Sequence, residues 1–521
     1  MNYKKLVLRL LIVATIVRIL VAAGTELSND EVYYRMYADD LQWNYFDHPP
    51  LVALLIRVFT GNLLLQQELW IRLGVIVCAA INTWLMFRIG ATVGNERTGW
   101  IAACLFTASL YGSVIAGLMI LPDGPQMVFW LLAVLLMLKI FKQGGRPFQR
   151  KRRLLLLGLV IGLCMLCKIH GIFLWVGAGL YILLYNRNLL RNPYLYLSMV
   201  ITGLLLLPVL LWNINNDFIT YRYHGTRVSF LGAIQWDSFL RQIAGEFFYN
   251  NPVNMVLIGL ALLVIRKRKW TNEVHQQRLL GTVAFPLVGI VWFMALFRDT
   301  LPHWTGPAYT TLIPLAAAWV TDRMSTKLII TPTPYVVRAA LAIPLVILIA
   351  LPLGIHQLQY PLGKKEQQYL GAGDLLLDMS GWKQFGNDFK KVYQSDIATG
   401  QMRRNATIIA DYWFPAAHLD HYVAGPAGIN FLAIGSLHNI HQYAWLNLER
   451  SPLKPGDDAY YIAISNYFDP PSATLLMAFE KNDPPMTIAQ YRGKVRVRNF
   501  FIYRLRGYKG GIANNGIVAD Q

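Results

Sequence analysis

Long apolar stretches recur through the first two-thirds of the 521-residue chain, and they restrict its possible folds more than any other feature. Residues 6–23 and 335–355 are examples, and each is long enough to cross the hydrocarbon core of a bilayer as a helix. Charged residues make up only 15% of the chain, against about 25% in an average soluble protein. The sequence therefore predicts an α-helical, multi-pass membrane protein.

The positions of the basic residues agree with this prediction. The formal net charge of +19 would also suit a nucleic-acid-binding protein. However, the basic residues form short clusters between apolar stretches, at 4–9, 146–153, 187–191, 266–269 and 323–327. Cytoplasmic loops of membrane proteins carry such clusters, so the pattern places the N-terminus inside and argues against a nucleic-acid partner.

Apolar length and loop charge together predict about eleven spans. They cover residues 6–23, 69–88, 98–116, 124–141, two short spans within 154–185, 195–213, 252–265, 279–297, 305–321 and 335–356. The stretch 154–185 is divided at Lys168–Gly171 because basic clusters flank both of its ends. The short apolar stretch 50–60 is expected to lie at the membrane interface.

Two domains follow from this assignment, a transmembrane domain at 1–356 and a soluble domain at 357–521. The soluble domain has strand-like runs at 406–410, 460–465 and 500–504 and a helical stretch at 413–422, which predict a small α/β or α+β fold. Its Gly- and Asn-rich tail, 507–521, is expected to fray. With the N-terminus inside, this domain and the loops 24–68, 117–123, 214–251 and 298–304 lie on the non-cytoplasmic side.

The external loops contain carboxylates beside the membrane. Asp30 and Glu31 follow the first span, and Asp123 stands between two prolines at the start of the fourth. Such a carboxylate can act as a general base when it faces a cavity. The alternative is helix capping, with Ser28 or Asn29 as the cap and the acids in the first turn. Two carboxylates from different loops that enter one cavity are less easily explained by capping.

Cationic, imidazole and aromatic side chains occupy the same loops, namely His48, Lys168, His170, Arg222, Arg227 and His303, with tyrosines around the two arginines. Lys168 either extends along the membrane boundary or pairs with a phosphate. Arginines among aromatics suit an anionic head group and a sugar ring, or else form part of an interfacial aromatic belt. No ligand spacing supports a metal site.

The motifs in their order resemble a known family. They are Asp30-Glu31 followed by tyrosines, His48-Pro49-Pro50, Leu121-Pro122-Asp123, Lys168 in a short hairpin, Trp212-Asn213 before an Arg-bearing loop, and His303-Trp304. This series resembles the family-39-like, GT-C-type membrane glycosyltransferases, which include protein mannosyltransferases and aminoarabinose transferases acting on lipid A. The resemblance covers roughly 1–325 and a C-terminal soluble domain of the expected kind.

The resemblance implies transfer of a sugar from a polyprenyl-phosphate carrier to an envelope acceptor, with inversion and with no cofactor or metal. The acceptor would be lipid A, another glycan or a protein, and the enzyme would be a monomer in a bacterial inner membrane with its active site on the periplasmic side. In that scheme Asp30 is the general base, Asp123 contacts the sugar or the acceptor, and Lys168 and Arg227 stabilise the leaving phosphate. Substrate contacts are further implied for Glu31, Tyr33, His48, His170, Arg222 and His303.

One residue departs from the family pattern. Aminoarabinose transferases have a lysine before the Pro-Pro pair, where this chain has His48. The sugar is therefore left open.

A flippase for a lipid-linked sugar and a non-catalytic scaffold are the alternatives. A flippase would favour polar groups at the bilayer midplane, whereas here they cluster at one surface. A scaffold would leave the carboxylates unexplained.

Overall fold

The computed structural model describes residues 2–141, 147–228, 233–266, 274–325, 331–360 and 362–518. The chain divides into two compact units. The helical unit comprises Met1–Leu20 and Gln42–Leu348, and the sheet unit comprises Val21–Leu41 and Ile349–Gln521. The segment 21–41 thus belongs with the C-terminal region, an association that the sequence analysis did not anticipate.

The helices of the first 357 residues are α1 (Tyr3–Gly24), α2 (Asn29–Tyr37), α3 (Leu51–Phe59), α4 (Glu68–Val93), α5 (Glu96–Ala108), α6 (Asp123–Phe141), α7 (Pro147–Cys167), α8 (Ile172–Tyr185), α9 (Pro193–Asn215), α10 (Ile219–Val228), α11 (Trp236–Tyr249), α12 (Pro252–Arg266), α13 (Val274–Ala295), α14 (Gly306–Ser325) and α15 (Tyr335–Gln357). A π-helical turn at Tyr111–Ile115 follows α5, and short 3₁₀ turns lie at Ile169–Gly171, Arg187–Arg191 and Pro302–Thr305. The interfacial stretch predicted at 50–60 is α3.

Six helices among the described residues are long and apolar enough to cross a membrane: α1, α4, α6, α9, α13 and α15. A seventh span is possible if α11 and α12, which meet at 99°, form one broken span. Helices also occupy the other segments predicted to span, but they are shorter or less apolar. The membrane-protein prediction is therefore supported, while the count of eleven spans is not confirmed.

Caps and small residues explain how these helices begin and pack. The Asn95 side chain accepts hydrogen bonds from Arg97 N and Thr98 N at the start of α5. Gly158 lies where α7 meets α9, and a Cβ there would overlap the Ser198 carbonyl oxygen. Glycine at this position allows the two backbones to approach closely.

The sheet unit contains the helices α16 (Trp382–Ala398), α17 (Trp413–Leu419), α18 (Gly425–Ala427), α19 (Leu437–Ile440), α20 (Tyr443–Leu446) and α21 (Ala473–Met477), and a π-helical turn at Asp420–Ala424. Short 3₁₀ turns lie at Gln367–Tyr369, Leu375–Met379, Asn447–Glu449 and Ser465–Tyr467. Its strands are β1 (Thr407–Ala410), β2 (Phe431–Ala433), β3 (Ala459–Ile464), β4 (Phe479–Asn482), β5 (Met486–Arg492) and β6 (Val495–Tyr508). The small α/β or α+β domain predicted from the sequence is confirmed.

The six strands form one mixed sheet in the order β2-β1-β3-β6-β4, and β5 also pairs with β6. β1 is parallel to β2 and β3, with Ile408 opposite Phe431 and Tyr460. The long β6 is antiparallel to β3, β4 and β5. The three strand-like runs of the sequence analysis are thus β1, β3 and part of β6.

Hydrogen bonds of Glu26 and Leu27 join the segment 21–41 to the rest of the sheet unit. The Glu26 carboxylate accepts from the backbone N–H of Trp382 at 2.8 Å and of Lys383 at 3.1 Å. It therefore caps the N-terminus of α16, where the helix dipole favours a negative charge. Leu27 N donates to the Tyr422 hydroxyl at 2.8 Å.

The tail prediction was wrong for the described part of the tail. Gly435 N donates to Gly516 O at 3.0 Å, and Val518 N donates to Gly435 O at 3.0 Å. The Asn447 side chain donates to Asn515 O at 2.9 Å. Composition alone misses these bonds, since they depend on partners about 70 to 80 residues earlier in the chain.

Candidate active site

Asp123 and Lys168 form a buried ion pair in the helical unit. Lys168 Nζ is 2.8 Å from Asp123 Oδ2, and their side chains are only 6% and 3% exposed. The Tyr111 hydroxyl donates to Asp123 Oδ1 at 3.1 Å. Both carboxylate oxygens are therefore hydrogen-bonded, and Lys168 has the compensating charge that burial requires.

The backbone explains how these groups reach one another. Asp123 begins α6 directly after Pro122, so its carboxylate lies at a helix N-terminus. Lys168 has extended φ and ψ values of −156° and 132° between α7 and the 3₁₀ turn Ile169–Gly171. The helical hydrogen-bond ladder is thus interrupted at Lys168, where the sequence analysis placed the break between two spans.

All three predicted histidines, His48, His170 and His303, interact electrostatically with this pair. Burial and, after it, the Lys168 charge hold the pKa of His48 well below its usual range. The same two causes lower the pKa of His303 to about 4. Both imidazoles are therefore neutral near pH 7, and each offers one N–H donor and one acceptor nitrogen. The His303 ring lies 6.2 Å from that of Tyr249.

The loop that contains His48 is bound to α10. Asn44 Nδ2 donates to Thr220 Oγ1 at 2.8 Å, and Thr220 Oγ1 donates to Tyr45 O at 3.0 Å. His224 Nε2 lies 2.8 Å from Asp47 O, and its ring is 6.1 Å from that of His48. The structure therefore brings together two loops that are about 175 residues apart.

Three further predicted residues lie on the same unit. The His170 ring is 5.9 Å from that of Trp304. Arg222 on α10 is exposed. The Arg227 side chain lies outside the described residues, so its predicted phosphate contact stays a prediction.

Asp30, Glu31 and Tyr33 lie on α2, in the sheet unit. Glu31 Oε2 accepts from Ser28 N at 2.9 Å and from Ser28 Oγ at 3.0 Å, which forms a capping box. The Tyr33 ring is buried and lies 4.9 Å from that of Trp413. Asp30, in the first turn of α2, is exposed. The capping interpretation thus holds for Glu31, while a shared cavity for Asp30 and Asp123 stays a prediction.

A second buried carboxylate, Glu246, is not among the residues predicted from the sequence. Glu246 on α11 accepts from Trp292 Nε1 at 2.9 Å and from Tyr309 Oη at 2.8 Å, both at Oε2. Gln242, one turn earlier, donates to Oε1 at 2.8 Å. The spacing of Gln242 and Glu246 on one face of an amphipathic helix was the available signal. No sequence signal linked Glu246 to Trp292 on α13 or to Tyr309 on α14.

No group of three or more His, Cys, Asp or Glu side chains that would hold a metal ion is found in the part of the chain that the structure describes. Lys168 and Tyr111 contact Asp123 directly. Neutral imidazoles interact with it electrostatically. Hydrogen-bond donors together with one ammonium group, that of Lys168, suit the recognition of an anion.

Comparisons with known proteins show which sequences and folds this chain resembles. Residues 47–212 match the family described as dolichyl-phosphate-mannose-protein mannosyltransferase. The lipid A galacturonosyltransferase RgtD of Rhizobium johnstonii is 24% identical over 416 residues, which are 78% of this chain and 81% of the relative. The structure of ArnT from Cupriavidus metallidurans in the apo state superposes on this chain with a TM-score of 0.57 at 14% identity. The match covers 96% of this chain and 98% of the ArnT chain.

A second ArnT structure from the same organism, bound to undecaprenyl phosphate, has a TM-score of 0.57 at 13% identity and covers 95% of this chain and 97% of its own. The resemblance to the GT-C-type membrane glycosyltransferases is confirmed. The matched GT-C segment, 47–212, includes His48, Asp123 and Lys168. Asp30 and His303 lie outside it.

Proposed function

We propose that this chain is a membrane glycosyltransferase that moves a sugar from a polyprenyl phosphate to an acceptor of the cell envelope. The observation that carries the proposal is the buried Asp123–Lys168 pair, which lies inside the segment that matches the mannosyltransferase family. The fold shared with ArnT, one structure of which is described as bound to undecaprenyl phosphate, supports the donor class.

Lys168 stabilises the phosphate that leaves the sugar. A polyprenyl phosphate is a good leaving group, so it needs a positive charge and hydrogen bonds rather than a strong acid. Lys168 supplies the charge, and the neutral imidazoles of His48 and His303 add donors beside it. Arg222, Arg227 and His170 are further candidates for contacts with the donor.

Asp123 positions Lys168 in this scheme. Its two oxygens accept from Lys168 and from Tyr111, so it is poorly placed to accept a proton from a substrate. A carboxylate at this position keeps the buried ammonium charged and oriented. This role differs from the direct sugar or acceptor contact that the resemblance implies.

Asp30 is the general base. It is exposed, unlike Asp123, and it lies on a short helix whose N-terminus is capped by Ser28 and Glu31. A carboxylate on an ordered element can accept the proton of the acceptor hydroxyl or amine as that group attacks the anomeric carbon. Attack opposite the leaving phosphate inverts the configuration.

The same comparisons support a lipid acceptor and a bacterial inner-membrane location. The relative RgtD is described as acting on lipid A, which supports a lipid acceptor. We place the external loops, the active site and the sheet unit on the periplasmic side, with about eleven spans, because the basic clusters then all face the cytoplasm.

The test is transfer by the purified protein in liposomes. Polyprenyl phosphates that carry radiolabelled galacturonic acid, aminoarabinose or mannose are supplied together with lipid A. Label that becomes covalently bound to lipid A supports the proposal and identifies the sugar. Label that crosses the bilayer while still attached to its carrier identifies a flippase instead and refutes transfer.

A further inference from the structure

The sheet unit has a cavity of about 330 Å³ that plays no part in the proposed transfer. Its lining residues include Asp411, Tyr412, Phe414, Tyr461, Tyr467 and Asp469. All of these residues lie within the sheet unit. This volume lies near the lower end of the range for small-molecule binding sites, about 300–1,000 Å³.

The cavity opens where a mixed sheet is expected to bind ligands. Ala410 ends β1 and Ile464 ends β3, and these two strands are parallel neighbours. Ligands of open α/β sheets bind outside the carboxyl ends of such strands, because the chain leaves the sheet there and the loops form a crevice.

The walls have the chemistry of a sugar site. Tyr412 and Tyr467 are 39% and 44% exposed, and the Phe414 ring meets that of Tyr467 at 87° with centroids 4.7 Å apart. Exposed aromatic faces at a crevice suit the C–H faces of a pyranose ring, since they combine apolar area with polar edges.

The charged groups of the lining are both acidic. Asp411 Oδ1 accepts from the Tyr461 hydroxyl at 2.8 Å, and this hydroxyl also lies 3.2 Å from Asp469 O. The carboxylate retains further acceptor capacity. Lysine and arginine are absent from the lining residues. A phosphate or a uronate would therefore meet only negative charge, whereas an ammonium group would be attracted.

We propose that this cavity binds an amino sugar, with the ring against Tyr412 and Tyr467 and the ammonium group beside Asp411. The site is separate from the Asp123–Lys168 pair and does not depend on the transfer activity. If the transfer proposal also holds, the cavity is a secondary site for the sugar part of an envelope glycolipid.

The test is calorimetric titration of the full-length protein in detergent with three disaccharides. These are the β-1,4-linked dimer of glucosamine, its N,N′-diacetyl form and a digalacturonate. The glucosamine dimer should bind at least about tenfold more tightly than the acetylated form, since a hydrogen bond to a charged group is worth roughly 1.5–3 kcal/mol. The digalacturonate should not bind.

Two variants and one control locate the site. Asp411→Asn should weaken the glucosamine dimer about tenfold or more, and Tyr412→Ala should weaken it by about threefold to tenfold. Tyr491→Ala is the matched control, because Tyr491 is 49% exposed on β5 and does not line the cavity. Tyr412 is exposed, so its truncation tests the site even if Asp411→Asn impairs folding.

The proposal is overturned by any of three results. The first is equal binding of the digalacturonate and the glucosamine dimer. The second is a loss in Tyr491→Ala as large as that in Tyr412→Ala. The third is the absence of measurable binding by any of the disaccharides. None of these outcomes bears on transfer at Lys168, because every titration is performed without donor.

Discussion

Replacement of Lys168 by methionine should be among the most destabilising single changes in the helical unit. The substitution leaves the Asp123 carboxylate buried, with its side chain 3% exposed and its partner at 2.8 Å removed. Loss of one partner of a buried ion pair costs about 3–5 kcal/mol. We expect the free energy of unfolding to fall by that amount, which is a factor of more than about 100 in the folded-to-unfolded ratio.

The double variant Asp123→Asn with Lys168→Met separates stability from activity. It removes both charges together, so most of the lost stability should return. Transfer should stay below one-hundredth of wild type, because Lys168, the cation that we propose to stabilise the leaving phosphate, is still absent. The two measurements are unfolding in detergent, followed by tryptophan fluorescence, and transfer of radiolabelled sugar to lipid A.

The exposed pair between Arg241 and Asp299 supplies the control. It has a comparable N–O distance, 2.7 Å, but its side chains are 61% and 78% exposed. Arg241→Met should therefore change stability by less than about 1 kcal/mol. The reasoning is refuted if Lys168→Met costs no more than Arg241→Met, or if the double variant transfers sugar at the wild-type rate.

Further predictions concern packing, pH and the second buried carboxylate. Gly158→Ala should lower the melting temperature, because its Cβ would overlap Ser198 on α9. Gly203→Ala is the control and should be neutral or slightly stabilising, because its Cβ would meet nothing within 4 Å. Equal melting temperatures of the two variants would contradict this packing. Burial raises the pKa of Asp411 to about 6 from an ordinary value of 3.8. The folded state therefore favours the neutral carboxyl, and this contribution to the free energy of unfolding is complete below about pH 4 and is lost as the pH rises through 6. Thermal melts of Asp411→Asn should lack that part of the decline, and a profile parallel to wild type would refute the assignment. Glu246→Leu should cost at least about 2 kcal/mol, because buried donors that now reach its carboxylate lose their acceptor; a chemical-denaturation midpoint equal to wild type would contradict this.

The sequence predicted much of the fold because the decisive signals are local. Apolar length identifies helices such as α1 and α15, and short apolar runs between polar and turn residues identify the strands β1 and β3. Side chains that break these patterns, such as Lys168 in an apolar stretch, pointed to the site. The association of 21–41 with the C-terminal region was not predictable in this way, because it depends on Glu26 reaching the start of α16.

The candidate site was predicted as a set of residues but not as a set of contacts. Asp123, Lys168, His48 and His303 are indeed neighbours through charge or hydrogen bonds. Their pairing was missed, since nothing in a single sequence indicates that Asp123 holds Lys168 rather than a substrate. Glu246 was missed for the same reason, because its partners lie on other helices.

Transfer by the Asp30→Asn variant tests the central claim most directly. The rate of sugar transfer from a polyprenyl phosphate to lipid A is measured in liposomes for the wild type, for this variant and for Asp237→Asn. Asp237 is the control because its carboxylate is 81% exposed in another predicted external loop. We predict transfer by the wild type and by Asp237→Asn, and a loss of about 100-fold or more in Asp30→Asn. Wild-type transfer that Asp30→Asn retains within threefold would contradict the account.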